Sequence, residues 1–415
     1  MSPVTVLLAG GGSRGTGYAS WIAKNKDRVV VVGIAEPREQ FCRPIAEAHG
    51  LPADRVFRDW REAAAKGRIA DAVIISTQDA MHVEPAETFA AQGYAMLLEK
   101  PMAPDQAGCE KIVKAVHNND TIFAVCHVLR YTDYTQRLIT MLDAGAVGEV
   151  VSIQHLEPVG YWHQAHSFVR GNWRNEKESS PMLLAKSCHD VDWIRYLMGA
   201  HCRRVSSFGS LVHFRKANKP AGSSERCVDC AVQDKCPYAA TRYYLGLLEK
   251  GNTGWPLDVV TQTPTRQSIL EALRSGPYGR CVYACDNDVV DQQVVIMEFD
   301  GGKTASFTMT AFAEHTARRT RIFGTRGEIS GDGRLIRHFD FMTNQWQQID
   351  TQAPEDSITG GHGGGDWRLM ERFIEAVATG DRSRILSGTA ETLETHRMVF
   401  AAERARHTGT VQEVI

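Results

Sequence analysis

The sequence predicts an α/β protein with two domains: a parallel, doubly wound sheet, followed by a larger α+β domain with an open, mostly antiparallel sheet. Its 415 residues exceed what one hydrophobic core normally holds. Over residues 1–128, short apolar runs alternate with helical stretches, a pattern typical of parallel sheets. Over residues 129–415, alternating segments follow one another through short turns such as Asp300-Gly301-Gly302, which favours antiparallel pairing.

Composition limits the possible partners. Lys and Arg number 47 and Asp and Glu 49, without a long run of either sign, which argues against a nucleic-acid surface. No apolar run approaches the roughly 20 residues of a membrane span, and the start "MSPVTVLLAGGG" does not look like a secretory signal. We therefore expect a cytoplasmic protein that binds small molecules and self-associates as a homodimer or homotetramer.

The stretch "VTVLLAGGGSRGTGY" predicts a strand, a glycine-rich turn and the start of a helix. Gly10, Gly12 and Gly15 occupy the G-x-G-x-x-G positions, and Ser13 and Arg14 complete the turn. Such glycines let the backbone approach a pyrophosphate held at a helix N-terminus. The pattern predicts a Rossmann dinucleotide-binding domain.

The following strand ends in Glu36, about 20 residues past the turn. An acid at this position can accept the ribose hydroxyls of NAD and repel the additional phosphate of NADP. Glu36 could instead cap a surface turn, and Arg38 could accommodate that phosphate. The sequence favours NAD over NADP.

Polar side chains follow the later strands of the first domain. Ligands of a doubly wound sheet lie beyond the carboxyl ends of its strands. The residues at these positions are Thr77, Asp79, His82, Glu99, Lys100 and His127.

The glycine-rich turn, "ISTQDAMH", "LLEKPM" and "HVLRY" occur in an order that resembles the Gfo/Idh/MocA family of NAD(P)-dependent oxidoreductases, most of which act on sugars and cyclitols. The resemblance covers essentially the whole chain. It implies that Lys100 of E-K-P is catalytic, reaching the substrate hydroxyl and the nicotinamide, and that the bond before Pro101 is often cis. From the residues alone, Lys100 could merely pair with Glu99.

From their places at the strand ends, we expect Thr77, His82 and Glu99 to contact the cofactor. We expect His127, Arg130 and Tyr131 of the "HVLRY" stretch to contact the substrate.

The segment "PMLLAKSCHDVDWIRYLMG" predicts one helix over residues 181–199. At 100° per residue, the apolar residues gather on one face, which should pack on the core. Lys186, His189 and Trp193 fall on the opposite face and are predicted to line a cleft. His189 could accept a proton from an alcohol as hydride leaves its carbon. The core face contains Leu184, Cys188, Val191, Ile194 and Met198.

Members of the family commonly carry an acid four residues before the helix histidine. His189 matches that histidine, but Ala185 stands at the acid position and Lys186 follows it. We expect Lys186 to replace the substrate contact of the carboxylate. Two nearby lysines would favour a neutral amine on one of them, which could act as a base.

Two further segments predict substrate contacts. Aromatic rings stack on sugar faces, and Arg or His can bond to hydroxyls. In "YWHQAHSFVRGNWR" the candidates are Tyr161, His163, His166, Trp173 and Arg174. The two histidines could alternatively bind a metal.

The glycine-rich loop "GGHGGGDW" adds His362 and Asp366. Its glycines suggest a mobile loop over the cleft. Asp366 could alternatively be only a helix N-cap.

A polar insertion at about 213–290 contains "ERCVDCAVQDKC". Cys227, Cys230 and Cys236 are predicted to bind structural Zn²⁺, with Cys281 preferred over Cys285 as the fourth ligand. An iron-sulfur cluster and unmetallated thiols are the alternatives.

The sequence thus predicts an NAD-dependent oxidoreductase that acts on a ring CH-OH of a carbohydrate. The alternatives are a redox-neutral NAD-dependent glycosidase, working through a transient ketosugar, and a non-catalytic NAD-binding sensor.

Overall fold

A computed structural model describes residues 2–314, 317–352 and 363–415. The N-terminal part forms a six-stranded sheet in the order β3-β2-β1-β4-β5-β6, with every adjacent pair parallel. This architecture confirms the predicted Rossmann domain. The strands are β1 Val4–Ala9, β2 Val29–Ala35, β3 Val56–Phe57, β4 Ala72–Ile75, β5 Ala95–Leu98 and β6 Phe123–Val125.

Helices cover both faces of this sheet, so its strands are buried on both sides and are almost entirely apolar. The helices are α1 Ser13–Lys24, α2 Glu39–His49, α3 Trp60–Ala64, α4 Val83–Ala91 and α5 Gln106–Asn118.

The second part contains a nine-stranded sheet in the order β14-β13-β12-β11-β7-β10-β9-β8-β15. Among its described strands, only β7 and β10 pair in parallel, so the mostly antiparallel prediction is confirmed. The strands are β7 Val150–Pro158, β8 Cys202–Ser210, β9 Gln292–Phe299, β10 Thr304–Thr310, β11 Arg319–Gly324, β12 Gly327–Gly331, β13 Leu335–Asp340, β14 Gln345–Asp350 and β15 Gln412–Glu413.

Most helices of the second part cover one face of this sheet or belong to the insertion between β8 and β9, whereas the helix at residues 365–379 packs on the first sheet. The helices of the second part are α6 Asp133–Asp143, α7 Tyr161–His163, α8 Met182–Ala185, α9 Cys188–Met198, α10 Ala240–Glu249, α11 Arg266–Ser275, α12 Gly365–Thr379 and α13 Thr389–Thr408; a π-helical turn, Gln164–Arg170, follows α7.

The chain returns to the first sheet near its C-terminus. Phe373 and Ile374 of α12 belong to the same core cluster as Val6 and Leu8 of β1. On α13, the ring of His396 accepts a hydrogen bond from the Met102 amide at 2.9 Å. A domain boundary at residue 128 therefore separates the two sheets. It does not separate their hydrophobic cores, because helices α12 and α13 pack against the Rossmann domain.

The insertion has a small core of its own, formed by Cys227, Ala240, Tyr244, Leu257, Ile269 and Leu273. The sequence indicated a largely polar segment, but the apolar residues of α10 and α11 meet on facing sides of the two helices. Within the described residues, none of the helices is both long enough and apolar enough to cross a bilayer.

Candidate active site

The glycine turn packs so tightly against neighbouring backbone that side chains are excluded. Gly10 has φ +105°, and a Cβ there would lie 2.6 Å from the Ser76 carbonyl oxygen. A Cβ on Gly15 would lie 2.1 Å from the Gly10 oxygen. Helix α1 begins at Ser13, directly after Gly12. The turn therefore leaves the helix N-terminus open to a close-lying phosphate group.

Glu36, at the end of β2, points its carboxylate at this turn. The Gly11 amide donates to it at 2.8 Å and the Arg38 Nε at 2.6 Å. Burial raises the pKa of Glu36, but the hydrogen bonds from Arg38 and Gly11 outweigh burial and hold it below its usual value. A buried, ionised carboxylate beside a glycine turn fits the ribose of NAD.

Arg14 joins three acidic or phenolic groups at the cofactor side of the site. Its guanidinium bonds to Glu99 and Tyr18 and pairs with Asp366 at 2.6 Å. Burial lowers the pKa of Arg14, but Glu99 and its other partners raise it well above its usual value. The structure thus brings together Arg14, Glu99 and Asp366, which the sequence predicted as separate site residues.

Asp366 belongs to this cluster rather than to a helix cap. It lies inside α12, and the N-cap position is taken by Gly364 in a left-handed conformation. The prediction of a substrate contact by Asp366 is therefore corrected, since its carboxylate pairs with Arg14 of the dinucleotide turn. His362 lies outside the described residues.

Lys100 extends from the end of β5 toward the second domain. Its peptide bond to Pro101 is cis. The ammonium donates to the Ala185 carbonyl at 2.6 Å, and the backbone amide donates to Glu99 at 3.1 Å. Glu99 is held mainly by Arg14 and Tyr18, so the simple Lys100–Glu99 side-chain pair is not formed.

The predicted single helix over residues 181–199 is interrupted. Helix α8 ends at Ala185, α9 begins at Cys188, and Ser187 between them has non-helical angles. In a continuous helix the Ala185 carbonyl would accept the amide of His189. Because the helix breaks, that carbonyl accepts Lys100 instead. The helix ends at Gly199 as predicted.

Lys186, in the break, forms an ion pair with Glu157 of β7 at 3.1 Å. The other oxygen of Glu157 forms an ion pair with Arg318 at 3.0 Å, and Arg318 also pairs with Asp190 at 2.5 Å. Burial raises the pKa of Asp190, but Arg318 and His155 lower it well below its usual range. Lys186 therefore has its own carboxylate partner on β7.

Trp193 does not line a cleft. It is buried, stacks on Tyr134 with ring centroids 6.3 Å apart, and donates to the Thr135 hydroxyl at 2.8 Å. Its neighbour Asp190 faces β7 and bonds to His155 at 3.0 Å. At Trp193 both faces of α9 are therefore packed, because α6 and β7 cover this part of the side that sequence periodicity assigned to the cleft.

His189 lies four residues after Ala185, the acceptor of Lys100, and is in contact with His127. The two imidazole rings are 6.0 Å apart, and His127 is also 5.9 Å from His396. Burial lowers the pKa of His127 to about 4. His127 is fully buried beside His189, and its contact with substrate stays a prediction.

Arg130 and Tyr131 are structural as well. Arg130 forms two 2.7 Å bonds to Asp192 and a third to the Leu386 carbonyl. Tyr131 is buried and its hydroxyl lies 2.9 Å from that of Ser387. The predicted substrate contacts are corrected, because both side chains are used to dock the segment after α12.

Thr77 and His82 shape the loop after β4. The two ring nitrogens of His82 lie 2.9 Å from the Pro101 oxygen and 3.2 Å from the Thr77 oxygen. His82 therefore joins the E-K-P turn to the loop that contains Thr77. This position indicates that His82 stabilises the turn, and it does not indicate a direct contact with a cofactor.

The segment after β7 divides into an exposed part and a part that holds the insertion. Tyr161 and Trp173 are about two-fifths exposed, and His163 contacts Trp255 with ring centroids 5.1 Å apart. His166 bonds to the Tyr244 hydroxyl at 2.7 Å.

Burial lowers the pKa of His166 to about 3. Arg174 pairs with Asp286 at 2.8 Å. His166 and Arg174 are therefore corrected from substrate contacts to anchors of the insertion.

The described residues contain one group of three metal-ligand atoms within 4.8 Å of one another, namely Glu176, Glu403 and His407. His163 and His166 are not part of such a group. Arg406 pairs with both acids, at 2.9 Å and 2.7 Å, so each carboxylate of that group already has a cationic partner.

Sequence reasoning missed Glu157 and Arg318. A signal was present on β7, where Ile153, His155 and Glu157 alternate on the buried face and two of the three are polar. Polar residues at core positions of a strand indicate a buried network. The partner Arg318 lies just before β11, where local sequence gives no such signal.

Comparison with known proteins agrees with this architecture. Residues 4–127 match the family model described as the oxidoreductase family, NAD-binding Rossmann fold. Residues 139–414 match the model of the oxidoreductase family, C-terminal alpha/beta domain. Together the two matches cover most of the chain.

Two curated relatives align with part of the chain. Inositol 2-dehydrogenase of Rhizobium meliloti is 29% identical over 195 residues, which are 46% of this chain and 54% of that protein. The 2,7-anhydro-N-acetylneuraminate hydratase of Escherichia coli is 26% identical over 153 residues, 37% of this chain and 40% of that protein. The chain spans about half the length of these relatives, or less.

A solved structure of levoglucosan dehydrogenase, in complex with NADH and levoglucosan, superposes with a TM-score of 0.71 at 17% identity. It covers 99% of both chains. This likeness shows that the fold is shared over the full length.

Proposed function

Because the chain belongs to the Gfo/Idh/MocA family of oxidoreductases, we propose that it transfers a hydride between a ring CH-OH of a sugar or cyclitol and NAD. One observation carries this proposal: Lys100 from the first sheet reaches the break before α9, one turn from His189. A lysine and a histidine from different domains thereby face the same region. The likeness to an inositol dehydrogenase supports the substrate class.

The residues that would hold NAD are the glycine turn and Glu36. When bound, NAD supplies the hydride acceptor. The ionised Glu36 favours ribose hydroxyls over a phosphate, which supports NAD rather than NADP. Arg38, which covers Glu36, would have to turn aside for the ribose.

The reacting hydroxyl would be bound by Lys100, whose ammonium exchanges its bond to the Ala185 carbonyl for one to the substrate. His189 accepts the hydroxyl proton as the carbon is oxidised. Lys186 is a positioning residue in this proposal, since its ion pair with Glu157 holds the helix break beside Lys100.

A redox-neutral reaction is the second candidate, and the likeness to a hydratase favours it. In that reaction the substrate alcohol is first oxidised, and the carbon next to the new ketone loses a proton as a leaving group departs. Water then adds, and the ketone is reduced again. The same lysine and histidine would serve the proton transfers.

One experiment separates these functions. The purified protein is incubated with NAD, or with NADP, and a panel of free sugars, cyclitols and glycosides, while reduced cofactor and released aglycone are recorded together. Accumulating NADH without cleavage supports the dehydrogenase. Cleavage that requires NAD but yields no net NADH supports the redox-neutral enzyme. Binding of NAD without turnover of any substrate would contradict both and favour a sensor.

A further inference from the structure

Four cysteines, three from one stretch of the insertion and one from a later stretch, line a small cavity of about 20 Å³. They are Cys227, Cys230, Cys236 and Cys281. Cys285 does not line it: its thiol lies 3.3 Å from the Cys281 carbonyl oxygen. All of these cysteines are free thiols. The cavity thus selects Cys281, and not Cys285, as the fourth member of the set.

Short backbone turns bring the sulfurs together. The Cys230 amide donates to the Cys227 carbonyl at 3.3 Å, and the Cys236 amide closes a second turn at 3.2 Å. On the side of Cys281, Arg226 and Arg280 form an antiparallel β-bridge. The next residue, Cys281, donates its amide to the Glu225 carbonyl at 2.8 Å. A C-x2-C turn facing a second cysteine-bearing turn is typical of structural zinc sites.

Two backbone amides and one arginine lie beside the sulfurs. Backbone amides of Tyr238 and Tyr283 donate to the thiols of Cys236 and Cys281, each two residues earlier. The Arg170 guanidinium lies 3.5 Å from the Cys227 sulfur. Arg170 and Cys227 are thus in direct contact at the edge of the cavity.

We propose that these four thiolates bind one Zn²⁺ in a closed, tetrahedral, structural site. The cavity exceeds the roughly 10–15 Å³ that one water-sized sphere requires. No three of these sulfurs are among the described ligand groups that lie within 4.8 Å of one another. Zn–S bonds of about 2.3 Å place tetrahedral sulfurs about 3.8 Å apart. The proposal therefore requires at least one sulfur–sulfur distance in each set of three to shorten by more than about 1 Å when the ion binds.

The ion would connect the cysteine-bearing turns of the insertion to the π-helical turn that follows α7. Arg170 ends the π-helical turn that also carries His166, and it donates to the carbonyls of Arg280 and Tyr238 at 2.7 Å each. The core of the insertion is small, so metal binding would supply much of its folding free energy. This proposal does not depend on the reaction proposed above.

Metal content of the full-length protein tests the site. By mass spectrometry of the purified chain, we expect one zinc per chain in the wild type. Cys227→Ser and Cys281→Ser should lower this several-fold, whereas the matched control Cys285→Ser should retain it. NAD binding shows that the Rossmann domain of each variant is folded. Equal metal loss in all three variants, or a wild type that contains no zinc, overturns the proposal.

Alkylation of the wild type provides a test that needs no variant. Iodoacetamide labelling is mapped by peptide mass spectrometry before and after treatment with a strong chelator. We expect the four cavity cysteines to become reactive only after chelation, while Cys285 is equally reactive in both samples. Labelling that the chelator does not change overturns the site, and iron with sulfide in place of zinc overturns the assignment of the ion.

Discussion

Two lysines meet at the break between α8 and α9, and their partners differ in charge. Lys100 donates to the neutral carbonyl of Ala185, whereas Lys186 pairs with the buried carboxylate of Glu157. The first bond can be exchanged for a substrate hydroxyl without leaving a buried charge unpaired. Loss of the second leaves Glu157 with Arg318 alone. The comparison teaches that neighbouring lysines have different tasks: Lys100 is available to the substrate, and Lys186 holds the helix break.

The largest expected effect is on turnover by Lys100→Ala. Removal of a group that binds the reacting hydroxyl should lower kcat by about 10²–10⁴-fold. The dissociation constant of NAD, measured by calorimetry, should change little, because the glycine turn and Glu36 are untouched. Lys24→Ala, at the exposed end of α1, is the control. Near-normal turnover of Lys100→Ala would contradict its role.

Glu157→Gln tests the other side of the comparison through stability. The amide leaves Lys186 and Arg318 without a charged partner on β7, and loss of one member of a buried pair costs about 3 kcal/mol of unfolding free energy. Glu298→Gln, which removes an exposed pair with Arg204, should cost less than about 1 kcal/mol. Urea unfolding measures both. Equal losses of unfolding free energy in the two variants would contradict a stabilising role for the buried Glu157 ion pairs.

Lys186→Ala should have a smaller effect than Lys100→Ala. We expect kcat to fall about tenfold, the rate equivalent of about 1.4 kcal/mol, because Glu157 keeps Arg318 as a partner. His189→Ala is measured alongside. Full activity of Lys186→Ala, with activity abolished in His189→Ala, would remove Lys186 from the mechanism. A loss as large as that of Lys100→Ala would break the distinction between the two lysines.

A further prediction concerns how three buried histidines make the free energy of unfolding depend on pH. Burial lowers the pKa of His127 to about 4, and those of His166 and His396 to about 3, from an ordinary value of 6.5. Above pH 6.5 each is neutral in both folded and unfolded chains. Below it, only the unfolded chain takes up protons until the folded pKa is reached, so stability falls as the pH drops.

Each of these histidines should contribute a slope of about 1.4 kcal/mol per pH unit in this window. Urea unfolding of the wild type between about pH 7 and pH 5 measures the total. In His166→Gln the slope of unfolding free energy against pH should fall by about 1.4 kcal/mol per pH unit, because one titrating histidine is removed. The glutamine amide can still bond to Tyr244. An unchanged slope would mean that His166 does not titrate on unfolding.

The N-terminal half of the site was the more predictable part. Gly10, Gly15 and Glu36 are adjacent in sequence to the strands that position them, so local pattern was enough to place them at one edge of the sheet. Lys100 was identified by its motif at the end of a strand. Its partner Ala185 was not, because a backbone carbonyl becomes an acceptor only where a helix breaks, and side-chain periodicity does not report a break.

The second half was less predictable because its contacts join distant segments. His127, Arg130 and Tyr131 were expected at the substrate, but α12 and α13 return to cover them. His166 and Arg174 were expected there as well, but the insertion packs against them. A polar residue after a strand looks the same in sequence whether it faces a cleft or a returning helix.

The sequence by itself determined the two sheets, the dinucleotide turn, the strand-end lysine and the helix histidine, since each depends on residue type and spacing along a few consecutive residues. Only the tertiary structure decided the pairing of Lys186 with Glu157, of Arg14 with Asp366, and the choice of Cys281 over Cys285. The physical reason is that burial and charge pairing depend on which segments meet, and those segments are separated by tens to hundreds of residues.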